Sequence, residues 1–474
     1  MTRIVLRAPS TFEAGFARIR SEHDVPLAFP GPVLAEAEQA APATGPDDRL
    51  DARHLDFVAI DPPGATDLDQ AYTAERTGSG YRVRYAIADV GDFIVPGHTL
   101  DTESRERGTT LYSPDTRTPL HPPVLSENRA SLLAGTDKPA LLWTIELDAD
   151  GSPADWRLER ALVRVREAMS YAEAQSRIDA DPPGDDKLTL LAEIGRLRQQ
   201  READRGGVSI SLPAQEVVEH NGSYSLEFDL ALPVENWNAQ ISLLTGIVAG
   251  RTMVDAAVGV LRTLPPPYDR AVARLRRTAK ALGLDWPAEL PYAAFVRDLT
   301  PNSPACNAFL LQATRTLRGA GYVGFHGTVP EHAEHGAIAS VYSHVTAPLR
   351  RLVDRFGNAI LLALFAGDEP PAWAIEALDE LPSLMGKARQ RESALERSMV
   401  DFAEALVLER SVGQTFSGHV VDLDTKRGLA TIQITAPAIV ATVDGAGRTL
   451  AEQLELRLDA VDVDDRTIAF TPLG

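Results

Sequence analysis

The stretch Asp61-Pro62-Pro63-Gly64-Ala65-Thr66-Asp67-Leu68-Asp69-Gln70, preceded by Phe57-Val58-Ala59-Ile60, decides how this chain folds. The four residues before it are apolar and β-favouring, so they read as a short buried strand. Pro62, Pro63 and Gly64 then turn the chain. Asp61 at the strand end, with Asp67 and Asp69 at alternating positions after the turn, would converge on one point. Like charges that close repel, and each pKa rises unless a cation lies between them. Hard oxygen donors suit Mg²⁺ or Mn²⁺, which keep coordination positions for phosphate oxygens and water. The chemistry this points to is phosphodiester hydrolysis. The residues alone leave two other readings open. Aspartates beside Pro and Gly are ordinary turn formers. A calcium loop is a structural use of acidic residues, although it calls for a denser ligand ladder with a turn glycine and a terminal Glu.

A chain of 474 residues can hold two to four domains and a large core. Its apolar fraction of 44% and charged fraction of 24% are those of a soluble globular protein and exclude a disordered chain. No run approaches the ~18 apolar residues of a membrane span, and Met1 to Pro9 lacks the apolar core of a signal peptide. The single cysteine, Cys306, excludes an internal disulfide and a cysteine-based zinc cage. A monomeric cytoplasmic enzyme is the expectation, with no membrane partner. The net charge of −20 argues against a non-specific nucleic-acid coat but allows a local basic channel. Arg270, Arg274, Arg276, Arg277 and Lys280 cluster at helical spacing and read as a solvated face.

Residues 1–48 read as a short helical segment and linker, with helices near Ser10 to Arg20 and Val33 to Ala40. Strand signals follow, including Tyr81 to Asp89 and Ala140 to Leu147. Helical patterns then dominate: Tyr171 to Ile178, Lys187 to Asp204, Asn236 to Val260, Tyr268 to Leu282, Pro348 to Phe365 and Ser383 to Glu409. Strands followed by helices indicate an α+β domain over 49–410. Residues 411–474 return to alternating strands at Gly418 to Asp422, Leu429 to Ile434, Leu454 to Leu458 and Ile468 to Phe470, which fits a small all-β barrel of OB type.

Several segments together resemble the ribonuclease II/R family of exoribonucleases, built on an RNB domain. Arg49 to Ala71 resembles the approach to its acidic loop. Tyr85-Ala86-Ile87-Ala88-Asp89-Val90 resembles its "HIADV" strand, and Arg107-Gly108-Thr109-Thr110-Leu111-Tyr112 its "RGTSVY". Leu125-Ser126-Glu127-Asn128-Arg129-Ala130-Ser131-Leu132 follows at the family's distance. Tyr342-Ser343-His344-Val345-Thr346-Ala347-Pro348-Leu349-Arg350-Arg351 resembles "YTHFTSPIRRY". The resemblance implies a mixed sheet surrounded by helices, then an S1 RNA-binding barrel.

It also implies roles for individual residues. Asp61, Asp67, Asp69 and Gln70 would hold Mg²⁺, with Mn²⁺ as an alternative, and Asp69 would lie closest to the chemistry. Arg350 matches the family's catalytic arginine, whose planar fork can hold a phosphate bidentately. Tyr112 and Tyr171 match aromatic residues that stack on bases. Glu235 falls where an acidic residue meets a ribose 2′-hydroxyl, the group that tells RNA from DNA. Glu396 and Arg351 match further positions along the RNA. Read as residues alone, isolated tyrosines are core or turn residues, Arg351 is an ion-pair partner, and Glu235 favours a helix dipole.

The chain departs from the family where Gln70 replaces a second adjacent aspartate, where Ala86 replaces a histidine, and where Asn358 and Ala359 replace a His-Arg pair. The residues before the RNB stretch are too few for a complete cold-shock domain. The expected activity is 3′→5′ hydrolysis of single-stranded RNA with a free 3′ end to nucleoside 5′-monophosphates. The rival readings are a catalytically weakened homologue that binds RNA as a regulator, and a metal phosphohydrolase for DNA or small nucleotides.

Overall fold

The structure, a computed structural model, describes residues 10–180, 186–210, 214–220, 223–229, 231–300, 303–434 and 436–473. Helices α1 (Ser10–Glu22) and α2 (Gly31–Gln39) precede strands β1 (Leu50–Asp51), β2 (Phe57–Ile60), β3 (Gln70–Arg76) and β4 (Gly80–Ala88). Helix α3 (Thr99–Arg107) leads to the short ribbon β5 (Leu111–Tyr112) and β6 (Arg117–Thr118), and then to β7 (Asp137–Asp148) and β8 (Pro153–Met169). The sheet order is β1-β8-β2-β3-β4-β7. Strand β8 runs parallel to β1 and β2 and antiparallel to β7, so the sheet is mixed and rolls back on itself.

Both faces of this sheet are covered, which explains its almost continuous apolar strands. Alternation still sorts the side chains. Val83, Tyr85, Trp143 and Ile145 face helices α4 (Tyr171–Asp179), α5 (Asp186–Asp204) and α6 (Pro233–Asp255), where Leu191, Ile194, Ile241 and Leu244 complete the core. Ala86, Ala88, Leu142 and Val163 face the other way, against Val33 and Ala37 of α2 and Leu100 of α3. Each fully buried large side chain contributes ~1.5–3 kcal/mol. Trp143→Ala would cost ~3–5 kcal/mol by opening a cavity at the centre of the first layer.

The helix expected to reach Val260 stops sooner. Helix α6 ends at Asp255, Ala257 takes φ +53°, and the hairpin β9 (Ala214–His220) and β10 (Ser223–Asp229) precedes it in the chain. Val258-Gly259-Val260-Leu261 then opens strand β11 (Val258–Thr263), paired antiparallel with β12 (Gly321–His326). The β-branched residues and Gly259 outweigh the apolar periodicity that suggested a longer helix. Helices α7 (Asp269–Ala281), α8 (Tyr292–Asp298) and α9 (Pro304–Ala313) lie between those strands around a cluster in which Trp286 stacks on Phe295 at 4.4 Å. Arg270, Arg274, Arg277 and Lys280 of α7 are exposed, as expected of a solvated face. Arg276 differs: it donates to the carbonyls of Pro287, Ala288 and Leu290.

The ribbon β13 (Glu334–His335) and β14 (Ser340–Val341) leads to the Tyr342–Arg351 stretch and helices α10 (Leu352–Ala366), α11 (Ala372–Glu376) and α12 (Leu381–Leu408). The C-terminal barrel contains β15 (Thr415–Asp424), β16 (Leu429–Ile434), β17 (Ile439–Asp444), β18 (Gln453–Asp462) and β19 (Thr467–Pro472), in the order β17-β16-β15-β18-β19. Strand β17 is absent from the sequence-based expectation, although its buried and exposed residues alternate strictly. The N-terminal helix is built into this end of the molecule. Phe16 meets Phe402 of α12 edge-on at 5.3 Å, and Gly15 is required there because a Cβ would lie 1.9 Å from the Phe402 ring.

Candidate active site around Asp69 and Arg350

The acidic loop joins β2 to β3 and is fastened from both sides. The Asp61 amide donates to the Met169 carbonyl at 3.2 Å, and Gly64 supplies the positive φ, +77°, that the turn needs. The buried Ser131 hydroxyl donates to the Thr66 carbonyl at 2.7 Å and accepts from the Leu68 amide at 2.9 Å. The Leu132 amide donates to the Leu68 carbonyl at 3.0 Å. The Leu125–Leu132 segment is therefore the platform on which the loop rests.

Asp69 points into the protein toward the Leu349-Arg350 turn. Its Oδ1 accepts from the Leu349 amide at 2.8 Å, and its Oδ2 lies 3.3 Å from Arg350 Nε. Burial pushes the Asp69 carboxyl up to about 8, even though Arg350 and the Leu349 amide both favour the charged form. Arg350 itself is 45% exposed. Its backbone carbonyl accepts from the Thr109 hydroxyl at 2.9 Å and the Thr110 amide at 3.0 Å, so the Arg107–Tyr112 segment sets its height.

Asp67 faces elsewhere. Its carboxylate accepts from Arg117 Nη1 at 2.7 Å and from the Tyr112 hydroxyl at 3.1 Å. Arg117 also pairs with Glu127 at 3.0 Å and donates to the Thr66 hydroxyl. Gln70 opens β3, and its side-chain nitrogen donates to the Thr346 carbonyl. Asp61 acts electrostatically on Arg350, as Asp69 does.

Asp69 thus meets Arg350 and Asp67 meets Arg117, while Tyr112, bonded to Asp67, lies close enough to feel both Asp69 and Arg350. Among the described residues, no three His, Cys, Asp or Glu side chains gather closely enough to hold a metal ion. The donor set nevertheless fits Mg²⁺ in kind. Mg²⁺ keeps several waters and is commonly held by one or two carboxylates plus substrate phosphates. Burial disfavours the charged form of the Asp69 carboxyl, and a cation beside it would favour that form. Asp61 and Asp69 are the residues that would hold the ion.

The remaining expected site residues are spread around this centre. Tyr112 leaves 52% of its surface exposed. Tyr171 begins α4, capped by Ser170, and is half-buried against the first core layer. Glu235 accepts from the Leu232 amide at 3.0 Å, which caps α6. Arg351 grips Asp354 with two bonds of 2.9 and 2.8 Å, while Asp354 also accepts from the Ala347 amide at 2.7 Å. That pairing fixes the turn carrying Arg350. Glu396 is half-buried on α12, one helical turn after Glu392, whose carboxyl is raised by burial and by Glu396. Glu392 also feels Arg350 and Arg351, so this face of α12 borders the centre.

His344 is held well below the usual imidazole range by burial and by Arg351 and Arg262. Its Nδ1 meets the Tyr322 hydroxyl at 2.6 Å. Enclosed, tied to Tyr322 and lowered in basicity, His344 serves packing and is poorly suited to accept a proton as a general base. Sequence reasoning missed Arg117, Ser131, Thr346 and Glu392. Only the position of Ser131 and Thr346 inside motif-bearing stretches could have flagged them.

Residues 49–366 match the RNB domain, and residues 414–473 match the C-terminal S1 domain of RNase II-type exonucleases. The mouse exosome complex exonuclease RRP44 is 29% identical over 366 residues, 73% of this chain and 38% of that protein. Ribonuclease R of Chlamydia trachomatis is 24% identical over 420 residues, 85% of this chain and 58% of that one. The chain thus spans less than two thirds of the length of these relatives. Mycoplasma genitalium RNase R in complex with ribose-methylated single-stranded RNA superposes with a TM-score of 0.86, at 18% identity over 98% of this chain and 78% of that one. Yeast Ssd1, a pseudonuclease, superposes with a TM-score of 0.73, at 14% identity over 96% of this chain and 57% of that one. Among the described residues, no helix is long and apolar enough to cross a membrane.

Proposed function

This chain belongs to the RNB family, and on that premise we propose that it is a 3′→5′ exoribonuclease releasing nucleoside 5′-monophosphates from single-stranded RNA. The observation that carries the reading is the contact between Asp69 and Arg350, which joins the acidic loop to the arginine turn. A divalent cation, when bound, would supply an activated water and neutralise charge developing on the phosphate.

The chain's own residues do the rest. Asp61 and Asp69 would hold the cation, whose charge would favour the ionised form of the buried Asp69 carboxyl. Arg350 is oriented through Nε by Asp69, so its Nη donors remain for two oxygens of the scissile phosphate. Arg351 does not reach for substrate with the atoms that grip Asp354; it holds the turn in place and lies along the RNA. Tyr112 presents a ring face for a base near the scissile bond, with its hydroxyl tied to Asp67, and Tyr171 offers a second. Glu235 has one oxygen on the Leu232 amide and a second for a ribose 2′-hydroxyl, which would favour RNA over DNA. Glu396 lines the same path. The C-terminal S1 barrel would contact RNA outside the centre.

The neutral side chain at Gln70 and the Arg117 partner of Asp67 favour one alternative, an RNA-binding protein with weak catalysis. Comparing RNA and DNA oligonucleotides of one sequence, with and without Mg²⁺, tests the proposal. Shortening of RNA alone is expected. Equal loss of both would instead favour a general phosphohydrolase.

A further inference from the structure

A second concentration of cationic groups lies at the far end of the central sheet. Ala88 pairs with Ala140 near the acidic loop, and Gly80 with Asp148 at the other end. At ~3.4 Å per residue these ends are roughly 25 Å apart. Beyond Asp148, the β7–β8 turn, the C-terminal half of α5, the middle of α6 and Ser340 enclose a cleft of about 300 Å³. Arg198, Arg201, Arg205 and Arg251 line it together with one carboxylate, Asp204, and with Ile247 and Pro153 as an apolar wall.

The guanidinium groups are poorly balanced. Arg201 is paired, to Asp150 at 2.8 Å and Asp204 at 2.5 Å. Among the described residues, no carboxylate forms an ion pair with Arg198, Arg205 or Arg251. Arg198 is only 3% exposed, donates to the Gly151 carbonyl at 2.9 Å, and leaves its buried Nε without a partner. Arg205 donates through Nε to the Ile338 carbonyl at 2.6 Å, while its Nη2 is buried without one. The nearby Glu202 is committed to the Ser209 hydroxyl and the Gln240 amide, both at 2.5 Å. Burial lowers Arg198 to about 10, the charges of Arg205, Arg251 and Arg201 add to that effect, and the Glu202 carboxylate opposes it. One carboxylate, Glu202, acts on both Arg198 and Arg205, so the buried positive charge exceeds its nearby negative charge, which is costly. Several forked donors around one space match a tetrahedral oxyanion better than a single carboxylate.

We propose that this cleft binds a phosphate group, carried either by a free nucleotide or by the backbone of an RNA strand outside the active centre. The volume is at the lower end of small-ligand sites, and the Ile247–Pro153 wall can accept the organic part of a nucleotide. The proposal is independent of the exoribonuclease reading.

The test is calorimetric titration of the full chain with inorganic phosphate and with AMP. It compares wild type, Arg350→Ala, Arg251→Glu and Arg205→Gln. Arg251 is exposed, so its replacement leaves the core intact even if changes at the more buried Arg198 would not. The expected result is binding that survives Arg350→Ala and weakens about tenfold or more in both cleft variants. If neither small probe binds, a long single-stranded RNA should lose affinity in the cleft variants while a hexanucleotide does not, which assigns the phosphate to a backbone. Affinity for every probe that is unchanged by Arg251→Glu and Arg205→Gln overturns the proposal. So does binding abolished by Arg350→Ala alone.

Discussion

Arg350 Nε lies 3.3 Å from Asp69 Oδ2, while the preceding Leu349 amide holds the other oxygen of the same carboxyl at 2.8 Å. One carboxyl group thereby joins two stretches far apart in the sequence and fixes where the arginine fork stands. Arg350→Lys keeps the charge but loses the planar fork. The expected result is a fall in single-turnover rate of roughly a hundredfold, with RNA affinity falling far less. A lysine variant that turns over at the wild-type rate would show that the fork has no role.

Ser131 is fully buried and makes two bonds to the acidic loop. Ser131→Ala leaves the Thr66 carbonyl and the Leu68 amide short of a partner, at a cost of ~1–3 kcal/mol. Chemical denaturation should register that loss, and activity should fall with it because the loop no longer has one position. A variant with unchanged stability would show that Ser131 does not support the loop.

Arg117 and Gln70 both reduce the negative charge available to a cation. Arg117→Met frees Asp67 while leaving Glu127 unpaired, so it should tighten Mn²⁺ binding measured by paramagnetic resonance and lower stability by ~1–3 kcal/mol. Gln70→Asp should also tighten Mn²⁺ and Mg²⁺ binding, by adding an anionic donor. Unchanged affinity in both variants would mean that Asp61 and Asp69 alone set it.

The legible parts of this molecule are those whose meaning is local. The apolar run Phe57–Ile60, the Pro-Gly turn and the alternating aspartates could be read directly, as could the paired arginines after Pro348. Strand β11 was read as helix because Val258, Val260 and Leu261 continue an apolar pattern that a buried strand shares. Strand β17 was missed because Ile439-Val440-Ala441-Thr442 is short and follows alanine-rich chain. The pairing of Asp67 with Arg117 was illegible for a different reason. Arg117 is separated from Asp67 by 50 residues, and an arginine's partner is a tertiary fact. Glu235 was legible as a helix-start residue, and its carboxylate does accept from the Leu232 amide at the head of its own helix.

His121 gives a pH signature separate from the site. Burial lowers its pKa to about 3, below the usual 6.5, although its Nε2 contacts the Pro348 carbonyl at 3.2 Å. Between those values the unfolded chain binds a proton that the folded chain does not. This contribution to stability is therefore complete above about pH 6.5 and is lost as the pH falls toward 3, by at most about 1.4 kcal/mol per pH unit. Asp69, raised to about 8, acts in the opposite direction between its unfolded and folded pKa values, so the comparison must be a difference. Denaturation of wild type and His121→Asn at pH 7 and pH 5 should show a smaller acid loss in the variant. Equal losses would contradict the assignment.

The most direct test of the central claim is incubation of 5′-labelled single-stranded RNA with wild type and with Asp69→Asn, each with and without Mg²⁺. The account predicts a ladder shortening from the 3′ end that requires both Mg²⁺ and Asp69, with RNA binding retained by the variant. Full-length RNA persisting with the wild type, under conditions where it demonstrably binds, would contradict catalysis and leave an RNA-binding protein.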